Sequence, residues 1–346
     1  MNAAPPQALP GYPRRPVSQR NRAIGLTALV AALSAGVVVA IAARSGGEPP
    51  PEHQGAVRPG APPLALDLGV RTDPEARDLR RALALYGDGS KETGRVAAAA
   101  IFRRHTSLEA RVGQAVTAWP DGTVAGLSRL ATLYPKSALV QLELGLAAFW
   151  AGTPGAEDAW RQAAVLQPDT TYAVTAGNLL YPRYARGLPA FVPQQSALLD
   201  RVGKTSATTQ LAILRRWASH GVDGNVVLGH LLYGVALQRL GRPVSAQREF
   251  DRAAALAPND PEALTAAAVG HFDKADPGAA FSRLGPLAQR FPKSATVRFH
   301  LGVLLLWIGS IDQAKKELRL ATTAQPGSPL AAEANQYLVT LRRVGR

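Results

Sequence analysis

The sequence predicts an all-helical solenoid, a fold in which short helical hairpins stack along one axis. The first observation is a period: Pro258, Pro292 and Pro326 follow one another at intervals of 34 residues. A fixed interval of this size is typical of stacked helical repeats. The second is composition, because 47% of the 346 residues are hydrophobic, and alanine and leucine dominate without the alternation that is typical of strands.

Small residues at fixed places identify the kind of repeat. The unit that begins at Val227 and the unit that begins at Ala295 have small residues where two helices must approach, and a large residue between them. In order, these positions are Gly234, Gly241, Ala246, Phe250 and Ala253 in the first unit, and Gly302, Gly309, Ala314, Leu318 and Ala321 in the second. This pattern resembles the tetratricopeptide repeat, a helix–turn–helix module. The resemblance implies a non-catalytic scaffold that binds proteins.

The remaining units follow the pattern less closely. The middle unit, 261–291, has Ala268 where glycine is usual, and the unit at 137–168 has its second-helix residues at Ala156, Trp160 and Ala163. Further towards the N-terminus we expect degenerate hairpins with helices near 74–86, 92–104, 107–118 and 121–134. A capping helix is expected at 329–343, because the last unit of a solenoid needs a polar outer face. The predicted solenoid therefore spans residues 73–346.

One repeat is too long. From Pro168 to Gly224, the site equivalent to the closing proline, is 56 residues, 22 more than the 34-residue period. We expect the insertion at 181–204, where three prolines forbid a continuous helix and Tyr181, Tyr184 and Phe191 are unusual aromatics for a loop. Such insertions often carry function; the alternative is that these aromatics pack on the solenoid itself.

The N-terminal region predicts a membrane anchor. Residues 1–22 contain four arginines and no acid, which indicates a disordered tail. Residues 23–43 carry no charge, and at about 1.5 Å per residue a helix of this length spans about 30 Å, the thickness of a bilayer core. The arginines before this run place the tail in the cytoplasm and the C-terminal bulk outside. We therefore expect a single-pass protein of the cell (inner) membrane.

Two other interpretations of this region concern export. A cleaved signal peptide would use the small residues Ala40 and Ala42, but its apolar region is normally only about 7–15 residues long. A twin-arginine signal at Arg14 and Arg15 is disfavoured because the pair lies far from the apolar run. Residues 44–72 are rich in glycine and proline over most of their length and are expected to be a linker between membrane and solenoid.

Composition argues against most kinds of chemistry. The chain has no cysteine, which excludes disulfides and a thiolate nucleophile. Its net charge of +14 is scattered, so we expect no nucleic-acid partner. The six histidines lack metal-ligand spacing, and Gly203-Lys204-Thr205 has Leu198 where a phosphate-binding loop requires glycine. We therefore expect no catalytic residue, cofactor, metal or small-molecule substrate.

The candidate site is the concave face, because in the tetratricopeptide family the first helix of each repeat lines the groove. At the family's groove positions this sequence has mostly apolar residues: Leu142, Leu146, Phe149, Trp150, Leu231, Val235, Gln238, Arg239, Phe272, Phe299, Val303, Leu306 and Trp307. Such a groove binds an amphipathic or apolar partner segment, or it is filled by the insertion or the C-terminal helix of the same chain. Both explanations stay open at this point.

The sequence thus predicts a protein-interaction scaffold, tethered to the membrane, whose groove holds an envelope protein. The alternative is an accessory subunit that tethers an envelope enzyme or a secretion or biogenesis machine. An enzyme in its own right is the least favoured interpretation, because the sequence contains no recognisable catalytic constellation.

Overall fold

The computed structural model describes residues 57–87, 89 and 91–344. The predicted tail (1–22), the predicted membrane helix (23–43) and the first part of the linker lie outside these residues. In the part of the chain that is described, no helix is both long enough and apolar enough to cross a membrane. The membrane anchor therefore stays a prediction.

The described residues form sixteen helices and no strand, so the prediction of an all-helical fold is confirmed. The predicted helix ends agree with the observed ones within two residues. In chain order the helices are α1 Pro74–Tyr86, α2 Glu92–Phe102, α3 Leu108–Thr117, α4 Thr123–Leu133, α5 Ala138–Ala151, α6 Ala156–Leu166, α7 Thr171–Leu180, α8 Ala197–Val202, α9 Ala207–His220, α10 Val226–Arg239, α11 Pro243–Leu256, α12 Pro261–Gly270, α13 Gly278–Arg290, α14 Ala295–Trp307, α15 Ile311–Ala324 and α16 Pro329–Val344.

The helices stack as a solenoid. Those that pack extensively on one another are neighbours in sequence or next-but-one neighbours, which is the contact pattern of a repeat array. Short polar residues start many of them. Ser137, Asn225 and Ser294 each accept a hydrogen bond from a backbone N–H in the first turn of the following helix, as N-cap residues do. The capping helix α16 closes the array by burying Leu330 and Tyr337 against α14 and α15.

Glycines allow the two helices of a hairpin to approach. A Cβ atom at Gly234 of α10 would lie 2.4 Å from a ring carbon of Phe250 on α11. A Cβ at Gly145 of α5 would lie 2.4 Å from the indole nitrogen of Trp160 on α6, and one at Gly302 would lie 2.8 Å from Leu318. These distances are below van der Waals contact, so only glycine permits this packing. The interpretation of the small and large positions in the sequence is confirmed.

The solenoid is interrupted after α7. The chain runs irregularly from residue 181, forms the six-residue helix α8, and returns to the array only at α9, which packs on α10. Asp169, just before α7, joins the two parts because its carboxylate accepts the backbone N–H and the hydroxyl of Ser245 in α11 at 2.9 and 2.5 Å. Asp169 thus caps α11, whose own N-cap residue, Arg242, makes no side-chain cap bond.

Candidate partner-binding groove

The insertion crosses the concave face of the C-terminal part. Residues 181–194, here called the insertion segment, contact the first helices of three successive repeats. The backbone N–H of Phe191 donates to Oε1 of Gln238 on α10 at 3.0 Å, and that of Val192 donates to Nε2 of His300 on α14 at 2.9 Å. The backbone N–H of Gln194 donates to Oε1 of Glu262 on α12 at 2.7 Å. The groove therefore holds a segment of chain by its main-chain donors.

Phe191 is the apolar anchor of this segment. Its side chain is 1% exposed. Its ring stacks on the imidazole of His300 with centroids 4.8 Å apart and meets Phe250 edge-on at 5.5 Å. Ala185 is also buried, while Leu188 and Val192 pack half-buried against the same core. The insertion segment is consequently part of the hydrophobic core of this half of the protein.

Burial sets the protonation of the groove side chains. His300 is buried, and desolvation lowers its pKa to about 4. The neutral ring lies with Nδ1 2.8 Å from the carbonyl of Thr296, so Nδ1–H donates there and Nε2 is free to accept from Val192. Burial also raises the pKa of Glu262. The side chains of His300 and Glu262 are therefore buried acceptors, and each binds a main-chain N–H, which carries no charge.

A lysine ties the start of the insertion segment to the groove. Lys274, in the turn after α12, is 3% exposed and donates to the side-chain oxygen of Asn178 at 2.5 Å and to the carbonyl of Ala185 at 2.7 Å. Its ammonium lies 5.6 Å from the centroid of Trp307. Desolvation lowers the pKa of Lys274 to about 8. The insertion segment is thus held at both ends as well as at its aromatic anchor.

A second segment lies on the first helix of an N-terminal repeat. Residues 57–72, here called the N-terminal segment, are the C-terminal part of the predicted linker, and in the structure they pack on the solenoid. The N–H of Arg58 donates to the carbonyl of Trp150 at 2.9 Å, and the N–H of Ala65 donates to Oε1 of Glu143 at 2.7 Å. The guanidinium of Arg58 lies 3.9 Å from the centroid of Phe149. The segment runs antiparallel to α5, since its later residues contact earlier residues of the helix.

Glu143 has an unusual environment. Its side chain is fully buried in the middle of α5. Oε1 accepts from Ala65, but Oε2 has no hydrogen-bond partner among the described residues. Desolvation raises its pKa to about 8. Glu143 and Glu262 therefore have the same role in the two halves: each is a carboxyl group on a first helix that accepts a main-chain N–H from an overlying segment.

The structure brings most of the predicted groove residues together beneath these segments. Nine of them are buried: Leu142, Leu146, Leu231, Val235, Phe272, Phe299, Val303, Leu306 and Trp307. Phe149, Trp150 and Gln238 are half-buried and contact the overlying chain directly. Arg239 lies elsewhere, beside Leu199 and Leu214 of α8 and α9. Of the two explanations for the apolar groove, filling by the chain itself describes its C-terminal part.

The predicted insertion aromatics differ in their roles. Phe191 fills the groove, as described above, whereas Tyr184 is half-buried beside the guanidinium of Arg183, 4.8 Å from its ring centroid. Tyr181 only ends α7, where its N–H bonds the carbonyl of Gly177. Packing of the aromatics on their own solenoid, one of the two alternatives, is what the structure shows for Phe191 and Tyr184.

An open cleft continues the concave face beyond the N-terminal segment. It has a volume of about 590 Å³ and lies at the N-terminal ends of α3, α5 and α7. Its lining carries both signs of charge, from Asp67, Glu109, Lys136 and Arg242, and the side chains of Leu108 and Leu139 add apolar surface. Tyr172 also lines the cleft. Asp67 belongs to the N-terminal segment, so the cleft and the covered part of the groove are continuous.

Sequence reasoning missed several residues that define this site. The local sequence patterns single out none of Glu143, Gln194, Glu262, Lys274 and His300. A charged residue in the middle of an otherwise apolar first helix was the available signal for Glu143. Among the described residues no group of three or more histidine or acidic side chains lies close enough to hold a metal ion.

Comparison with known proteins gives distant structural matches only. No model of a protein family matches the chain, and the comparison with curated proteins gives no match. Among solved structures, a human IFIT1 dimer with PPP-AAAA aligns at 16% identity and a TM-score of 0.31, covering 79% of this chain and 65% of the other. Yeast Tom70 aligns at 12% identity and 0.29, covering 89% and 69%. The Cut9–Hcn1 hetero-tetramer of the APC/C aligns at 13% identity and 0.25, covering 79% and 56%.

The chain thus spans about two thirds or less of two of these proteins and slightly more of the third. The fold itself is a solenoid of helical hairpins that resembles the tetratricopeptide type. In this chain the helical hairpins, the 34-residue period and the glycine contacts between paired helices carry that resemblance.

Proposed function

We propose that this protein is a non-catalytic interaction scaffold that binds an extended segment of a partner protein along the concave face of its N-terminal half. The observation that carries the proposal is the way the chain fills its own groove. Two separate segments lie across first helices, and in each a main-chain N–H donates to a buried carboxyl group, from Ala65 to Glu143 and from Gln194 to Glu262. The concave face therefore has the chemistry that binds an extended chain.

The two segments differ in how readily a partner would replace them. The insertion segment is joined to the solenoid at both ends and buries an entire phenylalanine. Its effective concentration at the groove is high, on the order of millimolar for short connections. The N-terminal segment is joined to the solenoid at one end only, through α1. Its buried hydrophobic side chains are chiefly Ala61 and Leu68, so it buries less apolar surface than a segment anchored by a phenylalanine. Exchange with a partner is therefore expected at the N-terminal segment.

The open cleft supports the same location. A partner segment can make its first contacts with Glu109 and Tyr172 in the cleft, close to Lys136, and then extend along α5 as residues 57–68 leave it. This order of events keeps the cost of exposing the apolar groove low, because each part of the segment is replaced as it is released.

The test is site-specific photo-crosslinking of the full chain in its native membrane. A crosslinker at Lys136 should capture one partner, and a crosslinker at Leu256, which is 57% exposed on α11, serves as the matched control. A synthetic peptide with the sequence of residues 57–68 should compete with the capture, and a scrambled peptide should not. Equal capture from both positions, or capture that neither peptide changes, contradicts the proposal.

We also propose that residues 23–43 anchor the scaffold in a membrane with its tail in the cytoplasm. The support is the uncharged run of 21 residues, which spans about 30 Å as a helix, and the arginines that precede it. Extraction at alkaline pH should leave the chain in the membrane fraction. Release into the supernatant contradicts the anchor.

A further inference from the structure

Glu143 is incompletely satisfied by the segment that covers it. A buried carboxyl group with two oxygens normally finds partners for both, because an unpaired buried polar atom costs about 1–3 kcal/mol. The N-terminal segment supplies one donor, the N–H of Ala65, and the methyl side chain of Ala65 supplies none. The fit of residues 57–68 to α5 is therefore suboptimal at this point.

The same segment shows what the neighbouring subsite accepts. The guanidinium of Arg58 lies over Phe149 at 3.9 Å and near Trp150 at 5.7 Å from the ring centroids. A cation over an aromatic face is favourable by about 0.5–2 kcal/mol, depending on desolvation. The aromatic pair and Glu143 lie on one helix, and the segment passes from the first to the second between Arg58 and Ala65. The aromatic subsite therefore favours a cation, and the Glu143 subsite leaves one oxygen without a donor.

Resting on the proposed function, we propose that the partner segment is basic, with an arginine or lysine over Phe149 and Trp150 and a second cationic residue at the position of Ala65, where it pairs with Glu143. Binding of the cation favours the ionised form of Glu143, so this carboxyl group releases its proton to solvent, and the cation then donates to the oxygen that Ala65 leaves without a partner. Residues 57–68 then act as a weaker internal copy of the partner segment. Glu143 is the residue that distinguishes the two.

The experiment measures peptide binding to the purified full chain in detergent. The probes are two fluorescently labelled peptides with the sequence of residues 57–68, one native and one carrying Ala65→Lys. The receptor is the Arg58→Ala variant, which weakens the internal segment and leaves α5 unchanged. The matched receptor adds Glu143→Gln, which keeps an acceptor for the main-chain N–H but cannot ionise to a carboxylate. Fluorescence anisotropy gives the affinities.

We expect the Ala65→Lys peptide to bind the Arg58→Ala receptor at least about ten-fold more tightly than the native peptide does, as a close buried charge pair requires. In the receptor with Glu143→Gln this difference should vanish. Equal affinities of the two peptides, or a difference that persists with Glu143→Gln, overturns the inference about the partner while leaving the groove as a peptide site. Hydrogen exchange of residues 57–68 in the receptor shows whether the internal segment has left α5. If these amides exchange fast and neither peptide binds, the proposed function itself fails.

Discussion

The substitution Phe191→Ala tests whether the insertion segment is an integral part of the C-terminal half. It removes a side chain that is 1% exposed and lies between two aromatic rings at 4.8 and 5.5 Å. Truncation of a buried phenylalanine costs about 3–5 kcal/mol, and the aromatic contacts contribute about 0.5–1.5 kcal/mol each within that total. The main-chain hydrogen bonds of residues 191, 192 and 194 are then broken in a larger fraction of molecules.

Hydrogen exchange is the suitable measurement, because long repeat arrays do not always unfold in one step. A loss of about 3–5 kcal/mol makes amide exchange at residues 191, 192 and 194 faster by about two to four orders of magnitude, because each 1.4 kcal/mol, roughly, changes an equilibrium constant ten-fold. Exchange in α1 to α4 should stay unchanged. Val165→Ala, at a side chain that is 73% exposed, is the control. If exchange at residues 191–194 is the same in both variants, the segment is not held by Phe191 and the reasoning is wrong.

Three further predictions concern stability. Gly234→Ala should lower the free energy of unfolding by about 1–3 kcal/mol, because the new Cβ would lie 2.4 Å from the ring of Phe250. The control is Gly177→Ala, at a helical glycine with nothing within 4 Å, which should raise the free energy of unfolding by about 0.5–1 kcal/mol. Urea midpoints of the two variants that move in the same direction would contradict this. Asp169→Ala removes the cap that Ser245 receives and should cost about 1–2 kcal/mol, seen as faster exchange in the first turn of α11; an unchanged first turn would argue against capping. Burial raises the pKa of Glu143 from 4.5 to about 8, so the folded state binds this proton more tightly and stability should fall as pH rises from 4.5 towards 8. Glu143→Gln should flatten the urea midpoint across that range, and an unaltered pH profile would refute the assignment.

The repeat architecture was predictable because it is written in local patterns. A 34-residue period, glycine at Gly234 and Gly302 and alanine at Ala246 specify where helices begin, end and approach one another. These are interactions between neighbours in sequence, and the observed contacts between Gly234 and Phe250 and between Gly302 and Leu318 are of this kind. Helix boundaries could be predicted for the same reason, since caps and prolines act within one turn.

The candidate site was only partly predictable. The groove residues such as Leu231 and Phe299 follow from the repeat register, but nothing local indicates that Phe191 will lie between Phe250 and His300. The contact between Val192 and His300 joins residues 108 positions apart. The bond between Ala65 and Glu143 spans 78 positions. Such pairs carry no periodic signal in a single sequence.

The sequence by itself thus determined the repeat, its register and the apolar character of the concave face, because these depend on short-range packing that recurs every 34 residues. Only the tertiary structure decided what covers that face. Residues 57–72 and 181–194 lie outside the repeat pattern, and their positions follow from which buried acceptors, such as Glu143 and Glu262, require a donor. That requirement exists only once the helices have stacked and removed those carboxyl groups from water.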